Sequence, residues 1–523
     1  MKGKKIVAAA MTVVLSLGII LIAGCGKTKQ AVDTGITRLA DLEGKKVASR
    51  TGSIFCIELD KKVDDVEHLF FNDTASQLEA VASGKAAAVL LDEPVAHLAT
   101  AQYPVLGILD EKLAEDNYGF AFRKGDPLAE AVSGVIARFR EDGTLRDIGE
   151  KWFGADESVK VLPELTYKTD FDGSAGLIRF GHDNVMVPMG YMGSNGSAKG
   201  YDVELAMRIA YELNMEIEMT GMSFDALLVS LNSGKSDMVA GCMSITEERK
   251  KSVDFSIPYY IGGMVAVVKQ DTGEGNTTEL SETTKSPSGF ASFKESFTKT
   301  FITENRYQLI LQGLGTTLLI SILSVLLGTV LGFGVCMLRR AKNPWLNIPA
   351  KMFIRLIQGI PIVVILMILF YLVFTDPNAS PIMVAVIGFA INFAAYVSEM
   401  MRTGIDAVDK GQLEAASAIG FNKFQVFCKI TLPQAARHVL PVFKGEFISL
   451  VKMTSVVGYI AIQDLTKMTD IIRSRTYEAF FPLIVTAVLY FALSYLLTLL
   501  LSLIEIKIDP QHRKRIVKGV NNR

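Results

Sequence analysis

Past residue 301 the chain is dominated by long apolar runs; before it, apolar runs are short and separated by polar residues. Four stretches, 308–338, 352–374, 381–399 and 478–504, each hold at most one charged residue, and a fifth, 438–462, is interrupted by Lys444, Glu446 and Lys452. Each is long enough to cross about 30 Å of hydrocarbon as a helix. An all-α polytopic domain of about five transmembrane helices is therefore expected over 301–508. Upstream, "LEAVASGKAAAVLLDEPVA" (78–96) and "LLVSLNSGKSDMVAGCMSI" (227–245) repeat one layout: helix, Ser-Gly-Lys, short apolar strand, polar tip. Gly84 and Gly234 suit the left-handed position that ends a helix. The strands that follow are short enough to be buried α/β strands. Ligands in open α/β sheets bind beyond the carboxyl ends of strands. Asp92 thus falls at one strand end and Cys242 to Arg249 at another, and two such lobes facing each other make a cleft.

Charge and targeting add a direction. With 54 basic and 55 acidic residues, the net charge of −1 argues against a nucleic-acid partner held by bulk positive charge. Residues 1–25 run from a basic start through an apolar core to Leu21-Ile22-Ala23-Gly24-Cys25. That is a signal-sequence layout. It resembles the bacterial lipobox, which would make Cys25 the lipidated first residue; an uncleaved anchor is the other reading. Cys56, Cys242, Cys336 and Cys428 show neither disulfide nor metal spacing, so free thiols and no metal or cofactor are expected. Residues 271–300 have linker composition. Basic residues flank the first span in "RRAKNPWLNIPAKMFIR" and the last in "HRKRIVK", whereas "FTDPNAS" has none. By the positive-inside tendency the linker lies outside, and the loop 401–437 and the tail 509–523 lie inside. The expected location is a bacterial plasma membrane, with the binding domain extracytoplasmic. Lys444, Glu446 and Lys452 cannot face lipid at low cost and are expected at interior or interfacial positions.

The second polar tip reads "CMSITEERKKSVDFSIPYY". Thr246 is a plausible N-cap for a helix opening at Glu247, and helix starts offer N–H groups to an anion. Arg249 can grip a carboxylate through two parallel hydrogen bonds, and Asp92 carries the right charge for an ammonium group. Converging from opposite walls, they suit a zwitterion. These segments, together with "GYDVELAMRIAYELN", "DLEGKKVASRTGS" and "FREDGTLRDIGEKWFG", resemble the extracellular binding proteins of polar amino-acid importers, a bilobed α/β fold of the periplasmic-binding-protein type. The resemblance implies Arg249 as carboxylate clamp, Asp92 as amine acceptor and Ser244 as a hydroxyl donor, with Cys242 opening the same tip. It implies backbone donors at Gly52 and Ser53, and it puts Asp183, Arg50, Met186 and Phe224 where the variable part of the ligand is read. Asp183 and Arg50 either meet a polar ligand side chain or pair with each other. The order of halves is swapped relative to the family: 31–154 corresponds to its C-terminal half and 178–270 to its N-terminal half, with 155–177 as connector. Circular permutation, or half-domains completing each other between chains, would account for it.

The loop between the third and fifth runs, "EAASAIGFNKFQVFCKITLP", builds a knob. Gln412 to Ile419 are helix formers, Gly420 permits a sharp turn, and Asn422 can cap a second helix. Leu413, Ala416, Ile419, Phe424, Phe427 and Ile430 supply apolar contact. Glu414, Ala415, Ala416, Gly420, Ile430, Leu432 and Pro433 match the EAA motif of ABC importer permeases, and 301–508 resembles the glutamine/histidine-type branch. The resemblance makes 411–433 a coupling loop that docks into an ATPase. No GxxxxGK[ST] phosphate loop occurs in the chain, so the chain is expected to be a transport subunit rather than an enzyme. The expected assembly is a permease homodimer in the bilayer with two copies of a separate ATPase. A ligand-gated channel or an amino-acid sensor would use the same bilobed fold. The coupling knob, and a C-terminal tail with no output domain, favour the importer.

Overall fold

The computed structural model describes residues 35–270 save 52, 155 and 194, and residues 294–508 save 295, 477, 479 and 480. The signal segment with Cys25, Gly52, most of the linker and the tail 509–523 lie outside the described residues.

Two five-stranded sheets form the first unit. In the first, β1 (Lys46–Arg50) lies between β2 (Glu67–Phe71) and β3 (Ala88–Asp92), all parallel. Every residue of β3 is buried, as expected of a parallel strand covered on both faces. β4 (Leu106–Tyr118) closes this sheet through β13 (Tyr260–Lys269), which runs antiparallel to both β3 and β4. The second sheet has β5 (Ala121–Arg123), β6 (Leu177–Asp183), β10 (Glu216–Met222), β11 (Met238–Ala240) and β12 (Val253–Phe255) in the order β10-β6-β11-β5-β12. A small antiparallel sheet of β7 (Val185–Met186), β8 (Gly190–Met192) and β9 (Ala198–Lys199) leans on it.

The chain passes between sheets twice, at residues 119–120 and 256–259. These crossings run side by side: Phe120 N–H donates to Ser256 Oγ at 3.1 Å, and Tyr259 N–H to the Tyr118 carbonyl at 2.9 Å. They are the only covalent links between the lobes in the described residues, which is the layout of a hinge. The two Ser-Gly-Lys turns form as the repeat predicts. Helix Thr74–Ala82 ends at Gly84 (φ 77°) and helix Phe224–Asn232 at Gly234 (φ 75°), each leading into a buried strand.

Among the described residues of the second unit, three helices are long and apolar enough to cross a membrane: Tyr307–Arg340, Pro381–Asp406 and Phe481–Ile506. The first two pack tightly because Gly328 and Gly332 present no side chain; a Cβ would lie 2.8 Å from the Ala390 carbonyl oxygen at one and 2.6 Å from Val397 Cβ at the other. The other two apolar stretches are bent pairs, so five spans result if each pair counts as one. The expected span 352–374 is broken: helices Pro344–Gly359 and Ile362–Val373 meet at 107°. Pro361 supplies no N–H, and Ile360 before it is extended (φ −108°, ψ 130°), as pre-proline sterics favour. The interrupted stretch 438–462 lies mostly within helix Leu432–Met453, followed by a 3₁₀ segment Thr454–Ile460, a left-handed Ala461 (φ 60°) and helix Leu465–Thr476. Lys444 is neutralised there by Glu505 at 2.9 Å, whereas Lys452 stays exposed in the single chain.

Candidate functional site

The cleft lies where the carboxyl ends of β1, β3, β6 and β11 face each other. One cavity of about 20 Å³ is lined by Arg50, Ser53, Ile54, Phe55 and Asp92 from the first lobe and by Met186, Phe224, Gly241, Cys242, Ser244 and Arg249 from the second. Eight of the candidate residues thus share one cavity, Asp183 touches it through Arg50, and Gly52 lies outside the described residues. That volume has room for about one water, so an amino acid needs the lobes to part.

Asp92 ends β3 and precedes helix Glu93–Gln102, but its carboxylate does not cap that helix. It accepts a short hydrogen bond from Tyr118 Oη instead. Burial pushes its pKa up to about 6, against the opposing pull of Tyr118 and Arg50. On the other wall, Thr246 caps the short helix Glu247–Lys250, its Oγ1 accepting from Arg249 N–H at 3.2 Å, as the sequence predicts. This turns the Arg249 side chain back over the strand end, where Nη1 donates to the Ser244 carbonyl at 3.0 Å. Ser244 Oγ donates to Asp116 Oδ2 at 2.7 Å. Burial raises the Asp116 pKa to about 7. The Phe224 ring carries Arg50 at 5.1 Å and Arg249 at 5.7 Å from its centroid.

Arg50 and Asp183 pair directly across the lobes, Nη2 to Oδ2 at 2.5 Å. Cys242 has left-handed backbone (φ 51°), and a Cβ on the preceding Gly241 would meet Asp183 Cβ at 2.9 Å. The loop after β11 is therefore held hard against the end of β6. Burial raises the Cys242 thiol well above its ordinary value, which makes it a wall rather than a nucleophile. Sequence reading missed Asp116 and Tyr118. Their i, i+2 spacing at the end of β4 is the signal, but only the pairing of β4 with β13 shows which face they occupy.

The first unit sits on the second. Arg473 of helix Leu465–Thr476 donates to Ser76 Oγ at 2.6 Å and lies 3.5 Å from Asp73. Val185 and Met192 pack with Phe301, Leu309, Leu465 and Met468. Between the cleft and this helix lies a cavity of about 140 Å³, lined on one side by Arg50, Phe224 and Asp225 and on the other by Tyr459, Lys467 and Asp470. Arg50 and Phe224 line both cavities and so form the partition.

At the far end, helix Lys410–Ala418 is capped by Asp409, Gly420 is left-handed (φ 93°), and Asn422 and Gln425 cap each other's N–H groups at 2.9 Å. Ala416, Leu413 and Phe427 face inward, the last two against Cys336, Ile405, Val408 and Ala435. Glu414 and Ala415 are exposed, and Ile419 and Phe424 project with 75% and 76% of their surface free.

A two-lobed solute-binding unit seated on a helical membrane unit defines the class: a binding-protein-dependent transporter. The chain belongs to the family described as binding-protein-dependent transport system inner membrane component, matched over residues 324–510. It also matches the bacterial extracellular solute-binding proteins, family 3, over residues 178–358. It is 36% identical over 199 residues to the probable amino-acid ABC transporter permease protein YckA of Bacillus subtilis (strain 168), covering 38% of this chain and 88% of that protein. It is 35% identical over 200 residues to the putative glutamine transport system permease protein GlnP of Rickettsia typhi, covering 38% and 92%. The octopine transport system permease protein OccM of Rhizobium radiobacter is 32% identical over 214 residues, covering 39% and 87%. A solved structure described as an amino acid ABC transporter with histidines is 34% identical over 40% of this chain and 98% of its own, with a TM-score of 0.37.

Proposed function

We infer that this chain is the combined binding and permease subunit of an amino-acid ABC importer. The carrying observation is the cleft: Asp92 and Arg249 reach one cavity from opposite lobes, one able to take an α-ammonium and the other an α-carboxylate. Ligand closes the lobes about the paired crossings, and the cargo leaves toward the permease through the wall made by Arg50 and Phe224. Energy comes from a separate ATPase, which the exposed Ile419–Phe424 knob suits as a docking peg. The chain lacks a phosphate-binding loop motif, in keeping with a transport subunit. Two copies in the bilayer would complete the pathway. The distribution of basic residues supports a binding unit outside the cell, with the knob and tail inside; lipidation at Cys25 would tether the first lobe as well.

A circularly permuted binding domain is the best reading of the order of halves. In support, the solute-binding match begins at residue 178, at β6, while β13 returns after β12 to complete the first sheet within the same chain. The units are 31–154, 155–177, 178–270, linker 271–300 and permease 301–508.

Titration calorimetry of the full-length chain in lipid nanodiscs across the amino acids tests this reading. Arg249→Ala is expected to weaken binding of the best ligand by ~100-fold or more, since a charge-paired buried group is lost. No heat from any amino acid, or unchanged affinity in the variant, would refute the assignment.

A further inference from the structure

Helix Pro344–Gly359 starts where the helix Tyr307–Arg340 ends, and Asn347 Nδ2 donates to the Arg339 carbonyl at 2.6 Å, which fixes the corner. The 34 residues of Tyr307–Arg340 rise about 51 Å, well beyond the ~30 Å of hydrocarbon. Its first turns meet the binding unit through Leu309, so Arg339 and Arg340 reach the headgroup zone at the opposite end. Helix Pro344–Gly359 has 16 residues, about 24 Å, too few to cross alone, and it meets the segment Ile362–Val373 at 107°. Short and turned nearly at right angles to its successor, it is shaped to lie along a membrane surface.

Three stripes run along this helix. Ala350, Ile354 and Ile357 are buried, the last two against Ile365 and Ala395. Trp345, Ile348, Met352 and Leu356, three or four residues apart, share a second stripe and are between 55% and 86% exposed. Lys351 and Arg355, one turn apart and exposed, form the third. A shallow groove of about 640 Å³ follows the boundary of the last two stripes, lined by Ile348, Lys351, Met352, Arg355 and Leu356. Arg339 and Arg340 are neutralised by Glu399 and Asp406. Among the described residues, Lys342, Lys351 and Arg355 have no acidic partner, and no Asp or Glu occurs from 341 to 375.

An apolar stripe beside unbalanced cations is complementary to an acyl chain beside a negatively charged headgroup. Helices of this composition lie in the interface with their apolar face at the acyl boundary, and tryptophan is enriched at that depth. A guanidinium takes two phosphate oxygens at once, and a lysine adds a point charge. An acidic protein surface would satisfy the cations and leave the Trp345–Leu356 stripe uncovered. A second copy docked symmetrically would bring the same cations toward each other. We propose that helix Pro344–Gly359 is an interfacial helix whose groove holds an anionic phospholipid, its acyl chains against Ile348, Met352 and Leu356 and its phosphate on Lys351 and Arg355. This assignment is independent of which solute the cleft takes.

The chain has two tryptophans. Trp152 is fully buried in the binding unit and Trp345 stands exposed on this helix, so quenching of tryptophan fluorescence by brominated phospholipids reads the helix, with Trp345→Phe as the background. In phosphatidylcholine liposomes holding the full-length chain, a minor fraction of brominated phosphatidylglycerol should quench Trp345 at least ~5-fold more strongly than the same fraction of brominated phosphatidylcholine; each Lys or Arg near an anionic surface is worth that much enrichment. Replacing both cations, Lys351→Gln with Arg355→Gln, should make the two lipids equal quenchers. Screening by about 0.5 M salt should do the same to the wild-type chain, which keeps the test independent of the variant's folding. Equal quenching by the two lipids in the wild-type chain at low salt would overturn the proposal, as would a preference that survives loss of both cations. Quenching by neither lipid would show the stripe covered by protein, a second copy or another partner, and would overturn it too.

Discussion

In the proposed binding cleft, two buried carboxylates, Asp92 and Asp116, would act on the two ends of the ligand with opposite consequences. Asp92 is held protonated up to about pH 6 by burial, and only its ionised form attracts an ammonium group. Affinity therefore falls as pH drops through about 6. Asp116, linked to Arg249 through Ser244, ionises near pH 7 and then adds a negative charge beside the guanidinium proposed to take the ligand's carboxylate. Affinity therefore also falls as pH rises past about 7. Calorimetric titrations from pH 5 to 8.5 should give maximal affinity between about pH 6 and 7, with roughly tenfold weakening by pH 5. Asp116→Asn should abolish the alkaline limb and leave the acid one. A flat profile in the wild-type chain would show that neither carboxylate senses the ligand.

Among the elements, the exposed Ile419–Phe424 knob proposed for coupling depends on one backbone angle. Gly420 sits at φ 93°, and no atom lies within 4 Å of where a Cβ would stand, so a side chain there meets no clash, only an unfavourable conformation. Gly420→Val should therefore cost at least about 1–2 kcal/mol locally and re-aim Ile419 and Phe424. Uptake should drop at least tenfold while amino-acid affinity stays unchanged; loss of both would mean a wider collapse. Local chemistry of this kind was legible in the sequence: Gly84 and Gly234 as left-handed stops, Gly420 as a sharp turn, Thr246 and Asn422 as caps. Each depends only on residues a few positions away. The pairing of Arg50 with Asp183 was legible only as one of two options, because it is settled by two strand ends 133 residues apart. Tyr118 and Asp116 escaped notice because β4 acquires its faces from β13, about 150 residues later. The break at Pro361 was present in the sequence, but an apolar window averages over a single proline.

Taken whole, the molecule places its binding unit directly above its membrane unit, and Arg473 is the polar hinge-pin of that seating. It lies beside Asp73, Ser76 and Asp470 while almost fully buried. Arg473→Ala should lower uptake several-fold through weaker docking and leave ligand affinity in the cleft unaltered, as measured by calorimetry on the same preparation. An altered affinity with unaltered uptake would place Arg473 in the wrong role. The 140 Å³ cavity between the Arg50–Phe224 wall and Lys467 would give the proposed cargo a sheltered position between cleft and permease. A tether between the two units would keep the local concentration of bound cargo high there.

The most direct measurement is uptake of labelled glutamine by proteoliposomes that contain only this chain and its cognate ATPase. The account expects ATP-dependent accumulation with no soluble binding protein added, abolished by Arg249→Ala. Accumulation that appears only when a separate binding protein is supplied, or that survives Arg249→Ala, would contradict it.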